Sequence, residues 1–225
     1  MNRPEAFSDV SPQRRSGIRR TVLLLVIAVI VIVSGFVYTM SKPRLLSEAA
    51  LRANGVFVFE RARDFGQFAL TDDDGKPFTP ATLQGKWSLL FFGFTYCPDV
   101  CPTTLTDLGK FYQQLPADQR EQTQVFMISV DPARDSVEKL HDYVRYFDPQ
   151  FRAVTGEFLD LQKFATSLSI PFAKVPGGGD NYLIEHSANV AVINPYGHYV
   201  GFIKGPISVD TMLQTYPSLQ ALRGG

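Results

Sequence analysis

The chain has 225 residues, 22 basic and 22 acidic side chains, a formal net charge of zero, and 2 cysteines. The length suits one domain of roughly 100–200 residues plus an appendage, and the balanced charge, with no Lys/Arg block in the domain region, excludes a nucleic-acid binder. Two cysteines are too few to staple a scaffold, and a chain that is 12% aromatic can fill a core without staples, so the pair is read as serving chemistry.

Residues 1–20 form a basic N-terminus with Arg3, Arg14, Arg15, Arg19 and Arg20. Residues 21–40 read "TVLLLVIAVIVIVSGFVYTM", without a charge. As a helix rising about 1.5 Å per residue this stretch spans about 30 Å, enough to cross a bilayer. A cleaved signal peptide is the alternative, but its apolar region runs only about 7–15 residues, and the nearest small-x-small site, Ser47-Glu48-Ala49, lies beyond Lys42 and Arg44. The arginine pairs resemble a twin-arginine signal only superficially; a basic flank explains them. The excess of arginine before the span holds the N-terminus in the cytoplasm and places everything after about residue 41 outside.

Residues 41–54, polar and containing Lys-Pro-Arg and Asn-Gly, are expected to be a linker, and residues 55–225 the folded domain. The domain opens with "VFVF" and "QFAL" before the turn "TDDDGKPF", which predicts an N-terminal β-hairpin. "WSLLFFGF" (87–94) is an unbroken apolar run suited to a strand buried on both faces. Apolar positions Leu105, Leu108, Phe111, Tyr112 and Leu115 predict a helix over 102–115, and "QVFMISV" (124–130) the next buried strand. "ARDSVEKLHDYVRYF" is a helix with Val137, Leu140, Val144 and Phe147 on its buried stripe; Asp135, three positions before Glu138, gives it a capping-box-like start. A short strand "RAVTG", a helix over 157–168 and a loop "IPFAKVPGGGDNYLIEHS" follow. The strands "NVAVIN" and "YVGFIK" around "NPYGHY", and a last helix from about Ser208, complete the chain. The alternation predicts an α/β core with helices on both faces.

Both cysteines lie in "FGFTYCPDVCP" (92–102), where a buried strand hands over to a helix. Reactive groups of open α/β sheets collect at the carboxyl ends of strands. A helix N-terminus favours thiolate, so Cys97 is nucleophilic or ready for a metal, and Pro98 and Pro102 fit a first turn. Cys97 and Cys101, four positions apart, fall on one side of such a helix and can either close a disulfide or point both sulfurs at one ion. Two thiolates suit Cu(I) or zinc, whereas a four-sulfur cluster is excluded, so any further ligand must come from elsewhere. Of the 3 histidines, His141 lies mid-helix on the expected solvated side and His198 sits in the hairpin turn. His186 ends a loop just before an apolar strand, which in a thioredoxin-like sheet brings it beside Cys97. Alone it reads as a hydrogen-bonded loop residue; beside a cysteine pair it reads as a ligand.

"FGFTYCPDVCP", "ISVDPARDS" and "EHS" before a strand ending "NPYG", in that order behind one membrane span, resemble the Sco/SenC family of copper proteins over about residues 56–220. The resemblance implies a thioredoxin-like fold, copper as Cu(I) or Cu(II) held by Cys97, Cys101 and His186, and a role in assembling cytochrome c oxidase by supplying its binuclear copper A centre. It also implies a copper donor protein, the oxidase copper-site subunit as acceptor, and a single-pass anchor in an inner membrane with the domain in the periplasm or the equivalent intermembrane space. The chain departs from the family where Glu185 replaces the usual Asp before the histidine, and where Tyr96 stands at a position often held by His. Asp131 is either a turn residue before Pro132 or a hydrogen-bond acceptor near the site. A thiol–disulfide oxidoreductase that keeps the oxidase's cysteines reduced, with Cys97 and Cys101 as its redox pair, is the rival reading.

Overall fold

The computed structural model describes residues 12–41, 45–177 and 179–223. The chain divides between residues 44 and 45 into two compact units. In the first, α1 (Pro12–Ser41) is one continuous helix whose stretch Arg19–Met40 is long and apolar enough to cross a membrane. Its Leu, Ile and Val side chains from Val22 to Val37 are exposed among the described residues of this unit. Of the basic flank, Arg3 lies outside the described residues.

The second unit starts earlier than its composition suggests. Residues Glu48–Ala53, expected to belong to a linker, form α2, capped by the Ser47 hydroxyl, which accepts from the Ala50 amide at 3.3 Å. Leu51 on this helix is fully buried, and that burial turns a short polar-looking stretch into part of the domain. There follow β1 (Val56–Arg63), β2 (Leu70–Asp72), β3 (Pro77–Phe78), β4 (Trp87–Gly93), α3 (Val100–Gln114), α4 (Ala117–Glu121), β5 (Thr123–Ser129), α5 (Val137–Phe147), β6 (Arg152–Thr155) and α6 (Phe158–Ser167). Then come β7 (Ala173–Lys174), β8 (Ile184–Glu185), β9 (Val190–Ile193), β10 (Tyr199–Ile203) and α7 (Val209–Arg223).

Eight strands form one sheet in the order β1-β10-β9-β4-β5-β6-β2-β3. β4, β5 and β6 run parallel, with Phe91 opposite Met127 and Ile128 opposite Val154, and β9 joins β4 antiparallel with Val190 opposite Phe91. Every residue of β4 is buried, as its unbroken apolar run requires. This is the expected thioredoxin-like α/β arrangement.

The N-terminal hairpin exists but has other arms than "VFVF" and "QFAL". β2 pairs with β3 around the Asp/Gly turn, where the Asp72 carboxylate accepts from the Asp74 and Lys76 amides at 3.0 and 2.8 Å, and of "QFAL" only Leu70 enters a strand. β1 pairs instead with β10 at the opposite edge of the sheet. Local alternation marks a strand without naming its partner.

The hairpin is tied to the sheet by charge. Arg152 donates to Asp73 at 2.7 Å and to Asp72 at 2.8 Å, and Arg145 donates to Asp73 at 3.3 Å. His141, placed on the solvated side by its sequence position, is half-buried against this group, with Nδ1 3.3 Å from the Asp73 carbonyl. The two arginines occupy the carboxylates, so Asp73, Asp74 and His141 read as an ion-pair network.

Candidate metal centre

The cysteines sit at the carboxyl end of β4. The turn after the strand is closed by the Cys97 amide donating to the Phe94 carbonyl at 3.2 Å, and α3 begins at Val100, so Pro102 lies in its first turn while Pro98 precedes it. The Cys101 amide is one of the N–H groups left unpaired at a helix start; it donates to the Cys97 sulfur at 3.3 Å.

Gly93 makes room for the buried thiol. A Cβ there would lie 2.8 Å from the Cys101 sulfur and 2.9 Å from the Phe91 ring. Asp135 anchors the same turn from below. Its buried carboxylate accepts from the Thr95 hydroxyl at 2.6 Å, the Thr95 amide at 3.2 Å and the Ser129 hydroxyl at 2.8 Å. The expected capping role of Asp135 is therefore wrong: Ser136 caps α5, accepting from the Lys139 amide at 3.3 Å, while Asp135 turns inward.

His186 arrives from the far side. β9 lies against β4, so the residues just before Val190 pass over the cysteine turn, and the imidazole packs edge-on to Phe91 and Phe94 at 6.0 and 5.8 Å between ring centres. Nδ1 lies 3.2 Å from the Ser187 carbonyl, which can only accept, so Nδ1 donates there and Nε2 is the nitrogen turned toward the sulfurs. Nε2 is 3.4 Å from the Cys101 sulfur and 4.0 Å from the Cys97 sulfur. All three donor atoms lie within 4.8 Å of one another.

The two sulfurs share one proton unequally. The Cys101 thiol, then His186 and the Cys101 and Asp99 amides, hold Cys97 down at about 4 against the opposing effect of burial. The Cys97 sulfur, followed by burial, pushes Cys101 far above the ordinary thiol range. The apo site is thus a thiolate, a buried thiol and an imidazole. Donors bonded at roughly 2.0–2.3 Å to an ion in their common plane stand roughly 3.7–4.0 Å apart, so the observed S–N separations of 3.4 and 4.0 Å suit one soft ion.

Of the other residues weighed from sequence, His198 is exposed in its turn, and Glu185 is exposed on β8 beside His186. Asp131 is buried and accepts from the Tyr182 hydroxyl at 2.6 Å and from the Arg134 side chain. It therefore acts on the histidine segment rather than on the sulfurs. That segment, expected as a loop, contains the two-stranded ribbon β7–β8. Sequence reasoning missed Gly93, Arg134 and Tyr182 altogether, because each matters through a contact across the fold that no local spacing announces.

Comparison with known proteins gives the chain a family. The SCO1/SenC family model matches residues 60–219. A Stutzerimonas stutzeri protein is 36% identical over 202 residues, covering 90% of this chain and 95% of the relative. The mitochondrial SCO1 homolog 1 of Arabidopsis thaliana is 32% identical over 182 residues; the match covers 79% of this chain but 54% of that longer protein. The crystal structure of Arabidopsis thaliana ScoI with copper bound superimposes with a TM-score of 0.64 at 33% identity, over 70% of this chain and 97% of that one. With a family match across most of its second unit and relatives of this similarity, the chain belongs to the SCO1/SenC family.

Proposed function

We propose that the protein is a membrane-anchored copper metallochaperone for cytochrome c oxidase assembly. In this reading α1 holds it in an inner membrane as a single-pass anchor, with the domain in the periplasm or the equivalent intermembrane space. Cys97, Cys101 and His186 bind copper and pass it to the binuclear copper A site of the oxidase subunit, after loading from a copper donor protein. The convergence of two cysteine sulfurs and an imidazole nitrogen within 4.8 Å carries the reading. Copper binding would displace the Cys101 proton, since thiolate is the ligating form. Titration of the reduced full chain with Cu(I) tests it: one ion per chain is expected, and undiminished binding by a Cys97→Ser, Cys101→Ser variant overturns it.

A second reading, thiol–disulfide exchange on the oxidase's cysteines, is favoured by the same asymmetry. Cys97, held down at about 4 and half-buried, is the attacking sulfur, and buried Cys101 is the resolving one. His186→Ala separates the two, because exchange needs no imidazole ligand. A variant that no longer retains copper but still supports oxidase assembly would favour exchange.

A further inference from the structure

The segment bearing His186 is weakly rooted. Among the described residues β7 and β8 pair only with each other, Ala173 opposite Glu185 and Lys174 opposite Ile184, and take no place in the main sheet. A ribbon this short does not hold its own position in water. Phe172 and Ile184 bury their side chains and attach it, but apolar contact is non-directional and does not by itself set where the imidazole points.

Arg134 supplies the direction. Its Nε donates to the Asp131 carboxylate and its Nη2 donates to the Tyr182 carbonyl at 2.9 Å. The guanidinium carbon lies 3.6 Å from the centre of the Tyr182 ring and 4.8 Å from that of Tyr96. Tyr182 precedes His186 by four positions and Tyr96 immediately precedes Cys97. The Tyr182 hydroxyl closes the figure by donating to the other Asp131 oxygen at 2.6 Å. One planar cation thus spans from the histidine ribbon to the cysteine turn, with its charge met by a buried carboxylate. Lys174 also lies over the Tyr182 ring, at 3.4 Å, but it belongs to the ribbon itself and stiffens it without attaching it.

We propose that Arg134 is a positioning residue for metal binding, setting the separation between the His186 imidazole and the cysteine pair through Tyr182 on one side and Tyr96 on the other. The proposal rests on the reading of Cys97, Cys101 and His186 as copper ligands. Arginine is required because a flat fork can donate in its plane while stacking on rings, and lysine, a point charge on a flexible stem, cannot do both.

The test is Cu(I) dissociation from the full chain in detergent, comparing wild type, Arg134→Met, Arg134→Lys, His186→Ala and the Arg134→Met/His186→Ala double variant. Loss of such a supporting contact typically costs about 10–100-fold in metal affinity, and roughly tenfold faster release is expected for both Arg134 variants. In the His186→Ala background Arg134→Met should add less than about twofold, because Arg134 acts through that ligand. Removing Arg134 leaves Asp131 buried without its cation, so Tyr182→Phe, which keeps the ring and loses only the hydroxyl, serves as the milder variant and should speed release by about twofold to fivefold. Thermal unfolding of the apo forms and nitrogen hyperfine coupling in the Cu(II)-loaded forms separate positioning from stability: positioning predicts loss of the imidazole coupling in Arg134→Met.

Wild-type release rates in both Arg134 variants, or an equal loss with and without His186, overturn the proposal alone. Unchanged copper retention in His186→Ala overturns the ligand assignment and this proposal with it.

Discussion

The two halves of the candidate metal centre are built to different standards. The cysteine half stands at the end of β4, all of whose residues are buried, and its turn is fixed by Asp135, by the start of α3 and by the space that Gly93 leaves. The histidine half follows directly on a two-stranded ribbon outside the main sheet, with exposed residues at Ala173, Lys174 and Glu185 and polar ties to Asp131 and Arg134. Local opening free energies follow buried contact and protected hydrogen bonds, so the ribbon is the part that yields first. In the proposed reading, where the protein must release the copper it binds, two sulfurs on a rigid turn and a third ligand on a softer element would divide the tasks of capture and release.

Breaking the rigid half should have the largest effect. Cys97→Ser together with Cys101→Ser should abolish Cu(I) binding, measured as metal per chain after desalting, because no other cysteine exists to replace them. Breaking the soft half should weaken binding without abolishing it: His186→Ala is expected to lower Cu(I) affinity by roughly a hundredfold in competition with a chelator. The rate of Cys97–Cys101 disulfide formation by mild oxidant should be unchanged in that variant, and a matching loss in both assays would show that the two halves are not separable.

Gly93→Ala probes why the rigid half is rigid. A methyl placed 2.8 Å from the Cys101 sulfur and 2.9 Å from the Phe91 ring must displace one of them. Overpacking of this kind costs about 1–3 kcal/mol, a drop of about 2–12 °C in Tm for a domain of this size. A Tm equal to that of the wild type would mean that the turn is softer than its packing indicates.

The smallest effect concerns protons. With Cys97 held down at about 4, its alkylation rate in the reduced apo protein should fall less than about twofold between pH 8 and pH 5, since the thiolate persists until pH approaches that value. An ordinary thiol near 8.5 would lose about tenfold per pH unit over the same range. Cys101, buried and pushed upward, should remain unmodified throughout, as mass spectrometry of the labelled chain can read. A tenfold loss per pH unit at Cys97 would show that the sulfurs do not share a proton in the way the geometry implies.

Sequence alone determined the candidate site and the scaffold beneath it. Two cysteines among 225 residues, set between prolines after the apolar run 87–94, left few places for a soft-metal site. That run had to be buried on both faces, so an α/β core with the cysteines at the carboxyl end of a buried strand followed from the pattern of elements. His186 was legible only because a rare residue type preceded a strand that such a sheet would bring nearby. Tertiary structure decided what local pattern could not carry. Residues 48–53 became a helix because Leu51 found a core to enter, and β1 went to the far edge because strand alternation does not specify a partner. Asp135 and Ser136 are both competent caps; the choice between them was made by Thr95 and Ser129, distant or off-register groups that drew the carboxylate inward. Arg134 reads as an ordinary surface arginine until Tyr96 and Tyr182, 86 positions apart in the chain, close around it, because stacking and hydrogen-bond geometry are properties of assembled surfaces and leave no trace in spacing.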